Sequence, residues 1–382
     1  MGLTLCIIAD DNISSQKICG QYIIRYLQEN LEPLCVERTL IINGPQELES
    51  LYINFPVSEN AFFKEVKQFS ESSTFLIVPA NFLEVSINKI KKLLNLLKNS
   101  PIAILTFIRK ENKFHEVKVT NEQAIIEAAS IGVDLCLRYS GITAINVADL
   151  DFDKDDNIHS TPAAYLMMDD EDYCLLNDGN DLVEATLDKQ KQLRSEHLER
   201  GVIFIDPTTV YLSFDTKIAP GVIIYPNVFI GPGVKVAAGV SIFSFSHIEN
   251  AEIGDNVQIG PFARIRGNTT IQAESHIGNF VEIKNAMIGN AVKIKHLSYL
   301  GDATVGNNTN IGAGVITCNY DGKNKHRTEI DKNCFIGANS SLIAPIYIAE
   351  EVTIGAGSTI TKDVEQNSLA LSRTKQIVKR KS

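Results

Sequence analysis

A chain of 382 residues is long enough for two or three domains, and 44% hydrophobic with 21% charged residues is the composition of a soluble globular protein. A formal net charge of −10 argues against a general nucleic-acid binder, which needs a basic face for the phosphates. No apolar run approaches the ~20 residues that span a bilayer, so no membrane partner is expected.

The first elements alternate in type. "LTLCIIA" (3–9), "RTLIING" (38–44), "TFLIVPA" (74–80), "IAILTFI" (102–108) and "GITAINV" (141–147) are short apolar runs that read as buried strands. The opening run carries no basic flank and meets Asp10 and Asp11 at once, which reads as a strand rather than a leader peptide. Between the strands, "SSQKICGQYIIRYLQENL" and "VSINKIKKLLNLLKN" place apolar residues at the spacing of amphipathic helices. Strands alternating with helices predict an α/β domain over residues 1–180, with a mostly parallel, Rossmann-like sheet. Residues 181–201, ending on Gly201, read as a connecting helix.

From residue 202 to 382 the period changes to six. Ile218, Ile224, Ile230, Val236, Ile242 and Ile248 open a series that resumes as Ile253, Ile259, Ile265, Ile271, Ile277 and Ile283. It runs on through Ile288, Ile294, Leu300, Val305 and Ile311, then from Ile330 to Ile360. Six residues make one short strand and a turn, three such units close one coil, and stacked coils share a continuous core, so the pattern predicts a parallel β-helix. Between Ile311 and Ile330 there is more chain than two hexapeptides need. The excess falls within "TCNYDGKNKHRT" and must leave the coil as a loop, a common home for binding residues.

Seven scattered cysteines (Cys6, Cys19, Cys35, Cys136, Cys174, Cys318 and Cys334) form no C-x-x-C pair, which suits reduced thiols in a cytoplasmic protein. The tail "RTKQIVKRKS" is basic and could meet a phosphate-bearing ligand.

"IGPFARIRGNTTI", "HIGNFVEIKNA", "KHLSYLGDATVGNNTNIGAGVITCNYDGKNKHRT" and "LALSRTKQ" closely resemble the acetyltransferase half of a known enzyme family. That family is the bifunctional N-acetylglucosamine-1-phosphate uridyltransferase/glucosamine-1-phosphate acetyltransferase. The likeness is dense from about residue 253 to 375 and looser from 175 to 252. It implies a left-handed β-helix and a homotrimer with active sites between subunits. It also implies glucosamine 1-phosphate and acetyl-CoA as small-molecule substrates, with no metal needed for acetyl transfer. Residue by residue, His296 matches the general base, a role that suits an imidazole because it titrates near neutrality. Arg266, Lys284 and Lys325 match groups that face the sugar phosphate, and Tyr299 and Asn310 match sugar contacts. Asn319 and Tyr320 match the region near the acetyl group. Ala313, Ala338, Ala356 and Arg373 match positions along acetyl-CoA, and at Ala338 the family has Ser.

The front half departs from the resemblance. Its first strand leads into "ADDNISSQKICGQY", where no Gly precedes Gly20 and two Asp stand where a triphosphate needs N–H donors. "FLIVPANFLEV" offers no carboxylate before Glu84 at the place of a metal-binding Asp, and Asn180 is the match in the second metal-binding segment. Residues 1–180 therefore read as a degenerate nucleotidyltransferase-like domain, the alternative being a fully bifunctional enzyme with an unusual UTP site, and Mg is relevant only if that domain is active. Two other classes compete with acetyl transfer. A zinc enzyme would have to gather ligands from His247, His276, His296 and His326, whose spacing makes no recognisable set. A non-catalytic scaffold would not be expected to keep all of Arg266, Lys284, His296, Tyr299, Asn310 and Lys325.

Overall fold

The computed structural model describes residues 3–9, 16–36, 38–42, 74–109, 116–120, 123–127, 136–146 and 163–379. The chain divides into two compact units, Met1–Thr186 and Leu187–Ser382, and the division falls inside the helix Gly179–Glu199.

In the first unit the apolar runs are strands. Leu3–Ile8 lies between Arg38–Ile42 and Thr74–Pro79, parallel to both, and Ile102–Arg109 is parallel to Ala164–Met167. Cys136–Asn146 joins the two groups and runs antiparallel to both neighbours. Its register shifts between Tyr139 and Thr143, where the Ser140 hydroxyl donates to the Leu105 carbonyl (2.8 Å) and accepts from the Ile142 N–H (3.0 Å). The helices Ile23–Leu31 and Ile87–Leu96 pack Ile24, Leu27, Ile90 and Leu93 into one core with Leu5, Ile7, Leu76, Val78 and Phe82.

The first helix is shorter than its sequence pattern predicts. Residues 17–22 form a small antiparallel hairpin instead, turning at Cys19 and Gly20, both with positive φ. A glycine that supplies a left-handed turn favours the hairpin over a helix through the same position. Burial pushes the Cys6 thiol up to about 12, which leaves it an inert core residue. Asp10 and Asp11 lie outside the described residues. Asn180 sits at the start of its helix, with its N–H on the Asp178 carboxylate (2.8 Å), and Glu84 is exposed on the strand Phe82–Val85.

The second unit is a left-handed parallel β-helix of hexapeptides, as its period predicts. Its strands stack into three parallel sheets of ten, nine and eight strands, one for each side of the coil. Register is strict along the core, with Ile224 over Ile242, Ile248 over Ile265, and Ile253 over Ile271. At nearly every corner one residue takes positive φ, among them Asn227, Asn256, Asn308 and Asn339. Asn is the L-residue that accepts this conformation most readily. The repeat also hides one inward position from an aliphatic count. Thr317 is buried in line with the core, its hydroxyl accepting from the Gly301 N–H (2.8 Å) and reaching the Gly301 carbonyl (3.1 Å). The excess chain therefore begins after Thr317.

The open first coil is closed by a side chain. Gln190 is buried, and its amide accepts from the Leu212 N–H (2.9 Å) and donates to the Leu212 carbonyl (2.6 Å), as the next strand would. Gln190→Leu should leave both Leu212 groups unpaired, at a cost of about 1–3 kcal/mol. Urea unfolding of this unit should then shift to lower denaturant, with faster amide exchange at Leu212.

Candidate active site

The strict register turns positions in the hexapeptide into columns. At the corner after the ten-stranded sheet, Asn279 pairs with His296, and Ala313, Ala338 and Ala356 hold the same place in the coils beyond. Hydrogen bonds mark the column. The carbonyls of Asn279, His296, Ala313 and Ala338 accept from the N–H groups of Leu297 (3.0 Å), Gly314 (3.3 Å), Asn339 (2.8 Å) and Gly357 (2.8 Å). The Ala356 carbonyl accepts from the Arg373 guanidinium (3.0 Å). The structure thus brings His296 into line with Ala313, Ala338, Ala356 and Arg373, and the small side chains leave a clear track along the corner.

His296 is exposed, and its Nδ1 lies 2.6 Å from the Asn279 Oδ1. An amide oxygen can only accept, so Nδ1 carries the proton of this contact, and in the neutral ring the lone pair is then on Nε2. Sequence reasoning missed Asn279; the signal was its place one coil before His296 in the same turn. Beside this pair runs a groove of about 410 Å³, lined in part by Phe243, Pro261, Phe262 and Phe280. The exposed rings of Phe245, Phe262 and Phe280 stack along it at 4.9 and 5.1 Å. Asn310 faces out of the sheet that leads into this corner, between Lys293 and Phe335.

The next corner, beyond the nine-stranded sheet, collects the cations. Arg266 pairs with Lys284 across adjacent coils, and the inserted hairpin adds Lys325. The Arg266 guanidinium is held by Glu282, Nε to Oε1 at 2.8 Å and Nη2 to Oε1 at 2.7 Å. Lys325, first by hydrogen bonding and then by charge, and Arg266 hold the Lys284 ammonium below its ordinary range, with Asp302 opposing them. Burial pushes the Asp302 carboxyl up. The Asn285 and Asn319 amides that donate to it, together with Lys325 and Lys284, outweigh that and hold it below the usual carboxylate range. A cluster of cations in which Lys284 is held down by its neighbours has the electrostatics of an anion site.

Tyr299 stands on the face leading into this corner, between Glu282 and Ile316. Its hydroxyl and the Asn319 amide flank Gly301 so closely that a Cβ there would overlap both. The hairpin is closed by an antiparallel bridge between Tyr320 and Lys325, and the Tyr320 hydroxyl donates to the Gly322 carbonyl (2.8 Å). The Asp321 carboxylate accepts from the N–H groups of Lys323 and Asn324 (both 2.7 Å), and its other oxygen lies 2.7 Å from the His326 Nε2.

The expected residues therefore fall into two groups in one chain, His296 with the alanines and Arg373, and Arg266, Lys284, Tyr299, Asn319, Tyr320 and Lys325. A whole side of the coil, from His296 to Gly301, separates them. The histidines weighed as zinc ligands lie apart: His247 and His276 face out of different sheets, His296 is at a corner, and His326 is in the hairpin. Among the described residues no three His, Cys, Asp or Glu side chains gather as a metal requires.

The family described as bacterial transferase hexapeptide (six repeats) matches residues 250–285 and 327–362, both inside the β-helix. "Bifunctional protein GlmU" of Wolbachia pipientis wMel is 52% identical over 216 residues, which is 56% of this chain and 50% of that protein. The protein of the same name from Bartonella bacilliformis is 49% identical over 204 residues, 53% of this chain and 45% of its own. The chain is similar to the bifunctional proteins GlmU. It spans about half the length of these curated relatives. A solved structure titled as a CMP:2-keto-3-deoxy-manno-octonic acid synthetase complexed with CTP covers 52% of this chain and 100% of its own. It does so at 13% identity and a TM-score of 0.38, a likeness too weak to bear on function.

In the tautomer assigned here, ¹⁵N NMR of His296 should find the proton on Nδ1. Asn279→Ala should move it to Nε2, the form favoured in free imidazole side chains. An unchanged spectrum would remove Asn279 from its orienting role.

Proposed function

We propose that the chain transfers an acetyl group from acetyl-CoA to the amine of glucosamine 1-phosphate, a step towards UDP-N-acetylglucosamine. The observation that carries this reading is an oriented imidazole on one corner of the coil and a cluster of three cations on the next. Arg266, Lys284 and Lys325 bind the phosphate dianion, with Arg266 able to offer two N–H groups to two oxygens. Tyr299 and Asn310 orient the sugar ring. The thioester lies along the alanine column, with Arg373 and the basic tail towards the nucleotide phosphates and Asn319 and Tyr320 near the acetyl group.

The amine nitrogen attacks the thioester carbonyl carbon, and N–H donors facing the oxygen stabilise the charge that forms there. His296 Nε2 takes the proton lost by the nitrogen. The carbon–sulfur bond then breaks, and the imidazolium returns the proton to the leaving thiolate. No metal takes part.

The two halves of this site stand on different corners of one chain. A second copy that brings one corner against the other completes it, which favours a symmetric homotrimer. The exposed ladder of Phe245, Phe262 and Phe280 beside His296 is an apolar surface suited to such a contact. The protein acts in the cytoplasm on small molecules, without nucleic acid. The first unit does not transfer uridyl groups, a reading supported by "FLIVPAN", which offers no metal carboxylate, and by "ADDNISSQ", where Asp10 and Asp11 would repel a triphosphate unless a magnesium ion bridged them to it.

A coupled assay tests these claims together. The chain should acetylate glucosamine 1-phosphate, and His296→Ala should lower turnover by roughly 10²–10⁴-fold while acetyl-CoA still binds. N-acetylglucosamine 1-phosphate with UTP and Mg²⁺ should give no product. Near-normal turnover of the variant, or formation of UDP-N-acetylglucosamine, would contradict the corresponding claim.

A further inference from the structure

The corner that bears the cations has a column of its own. Asn250, Gly267, Asn285 and Asp302 occupy one place in successive coils, all with positive φ (46, 71, 50 and 49°). Asn fills that turn at two of the four, so the backbone does not require a carboxylate at 302. Asp302 is nonetheless charged and only 9% exposed, a costly arrangement unless the charge is used.

Its surroundings indicate the use. One carboxylate oxygen accepts from the Asn285 amide and the other from the Asn319 amide. Its N–H donates to the Lys284 carbonyl (3.0 Å), and its carbonyl accepts from the Thr328 N–H (3.2 Å). Asn319 and Thr328 are the two roots of the inserted hairpin, so one residue grips both. Lys284 and Lys325 share this corner with it, and Glu282 is already committed to Arg266. Asp302 is thus the nearby anion left to face the two lysines.

We propose that Asp302 is a positioning residue: its carboxylate, set on the same corner as Lys284 and Lys325, steadies them as a phosphate-binding pair, and its side chain and its backbone each fix one root of the hairpin. The proposal rests on reading this corner as the site of a sugar phosphate. Without the carboxylate, two ammonium groups and a guanidinium repel one another across the corner. With it, Lys325 is drawn to the scaffold, and Lys284 keeps its proton over a wider range of pH. When the phosphate arrives it meets a pair already in place.

Asp302→Asn keeps the shape and the turn and removes the charge, and its amide nitrogen can no longer accept from one of the two Asn amides. Carbon-13 NMR of reductively methylated protein reads the lysines with no substrate present. The Lys284 midpoint should fall in the variant, because a nearby carboxylate favours the ammonium form. Affinity for the dianion is lost as pH rises through that midpoint. The KM for glucosamine 1-phosphate should therefore rise in the variant, and more at pH 9 than at pH 7, with little change in the KM for acetyl-CoA. A folded variant with an unchanged Lys284 titration would make Asp302 a turn residue only and overturn the proposal. Failure of the wild type to bind or use the sugar phosphate would sink the substrate reading, while the lysine titration still judges Asp302. If the variant does not fold, the wild-type carboxyl is titrated directly. A midpoint below that of free aspartate, with a coincident shift of the Lys284 signals, supports the role; an ordinary midpoint overturns it.

Discussion

Each coil of the β-helix must point one residue inward per side and turn a left-handed corner, and coil-to-coil hydrogen bonds then lock the register. Burying an isoleucine is worth about 1.5–3 kcal/mol, so a slip of one position along any strand would forfeit several such terms at once. That constraint makes function possible here. Residues seventeen or eighteen apart in the chain are held one above another as columns. His296 stands over Asn279, the alanines continue their line, and Lys284 lies beside Arg266 because Ile283 lies over Ile265.

The two corners divide the chemistry by polarity. One offers an imidazole with a free lone pair, a track of small side chains and stacked aromatic rings. The other offers three cations balanced by Glu282 and Asp302. Keeping them on one corner would place a proton acceptor among ammonium groups, which would lower its basicity. In the proposed homotrimer a second chain would bring the two corners together. The inserted hairpin belongs to the cation corner, where it adds Lys325 without disturbing the core, since Thr317 and Ile330 continue the inward positions on either side.

Much of this was legible in the sequence because the hexapeptide period is a long, repeated signal. The β-helix, the place of the hairpin and the residues His296, Lys284 and Lys325 could be named from spacing and resemblance. Asn279, Glu282, Asn285 and Asp302 could not, because each acts through a partner one coil away and carries no mark of its own. Thr317 escaped an aliphatic count because its hydroxyl is satisfied by Gly301, a match visible only in three dimensions. In the first unit, residues 17–22 were misread as helix because an apolar pattern outweighed one Cys-Gly turn.

The central claim is that each site draws one corner from each of two chains, and mixing two broken chains tests it. His296→Ala disables one corner and Lys284→Ala the other, and each alone should be nearly inactive. In trimers reassembled from equal amounts, about a quarter of the sites would pair an intact corner with an intact corner, if the copies associate at random. The mixture should regain about that share of wild-type acetyl transfer. A mixture no more active than its components would contradict the account and place the whole site within a single chain.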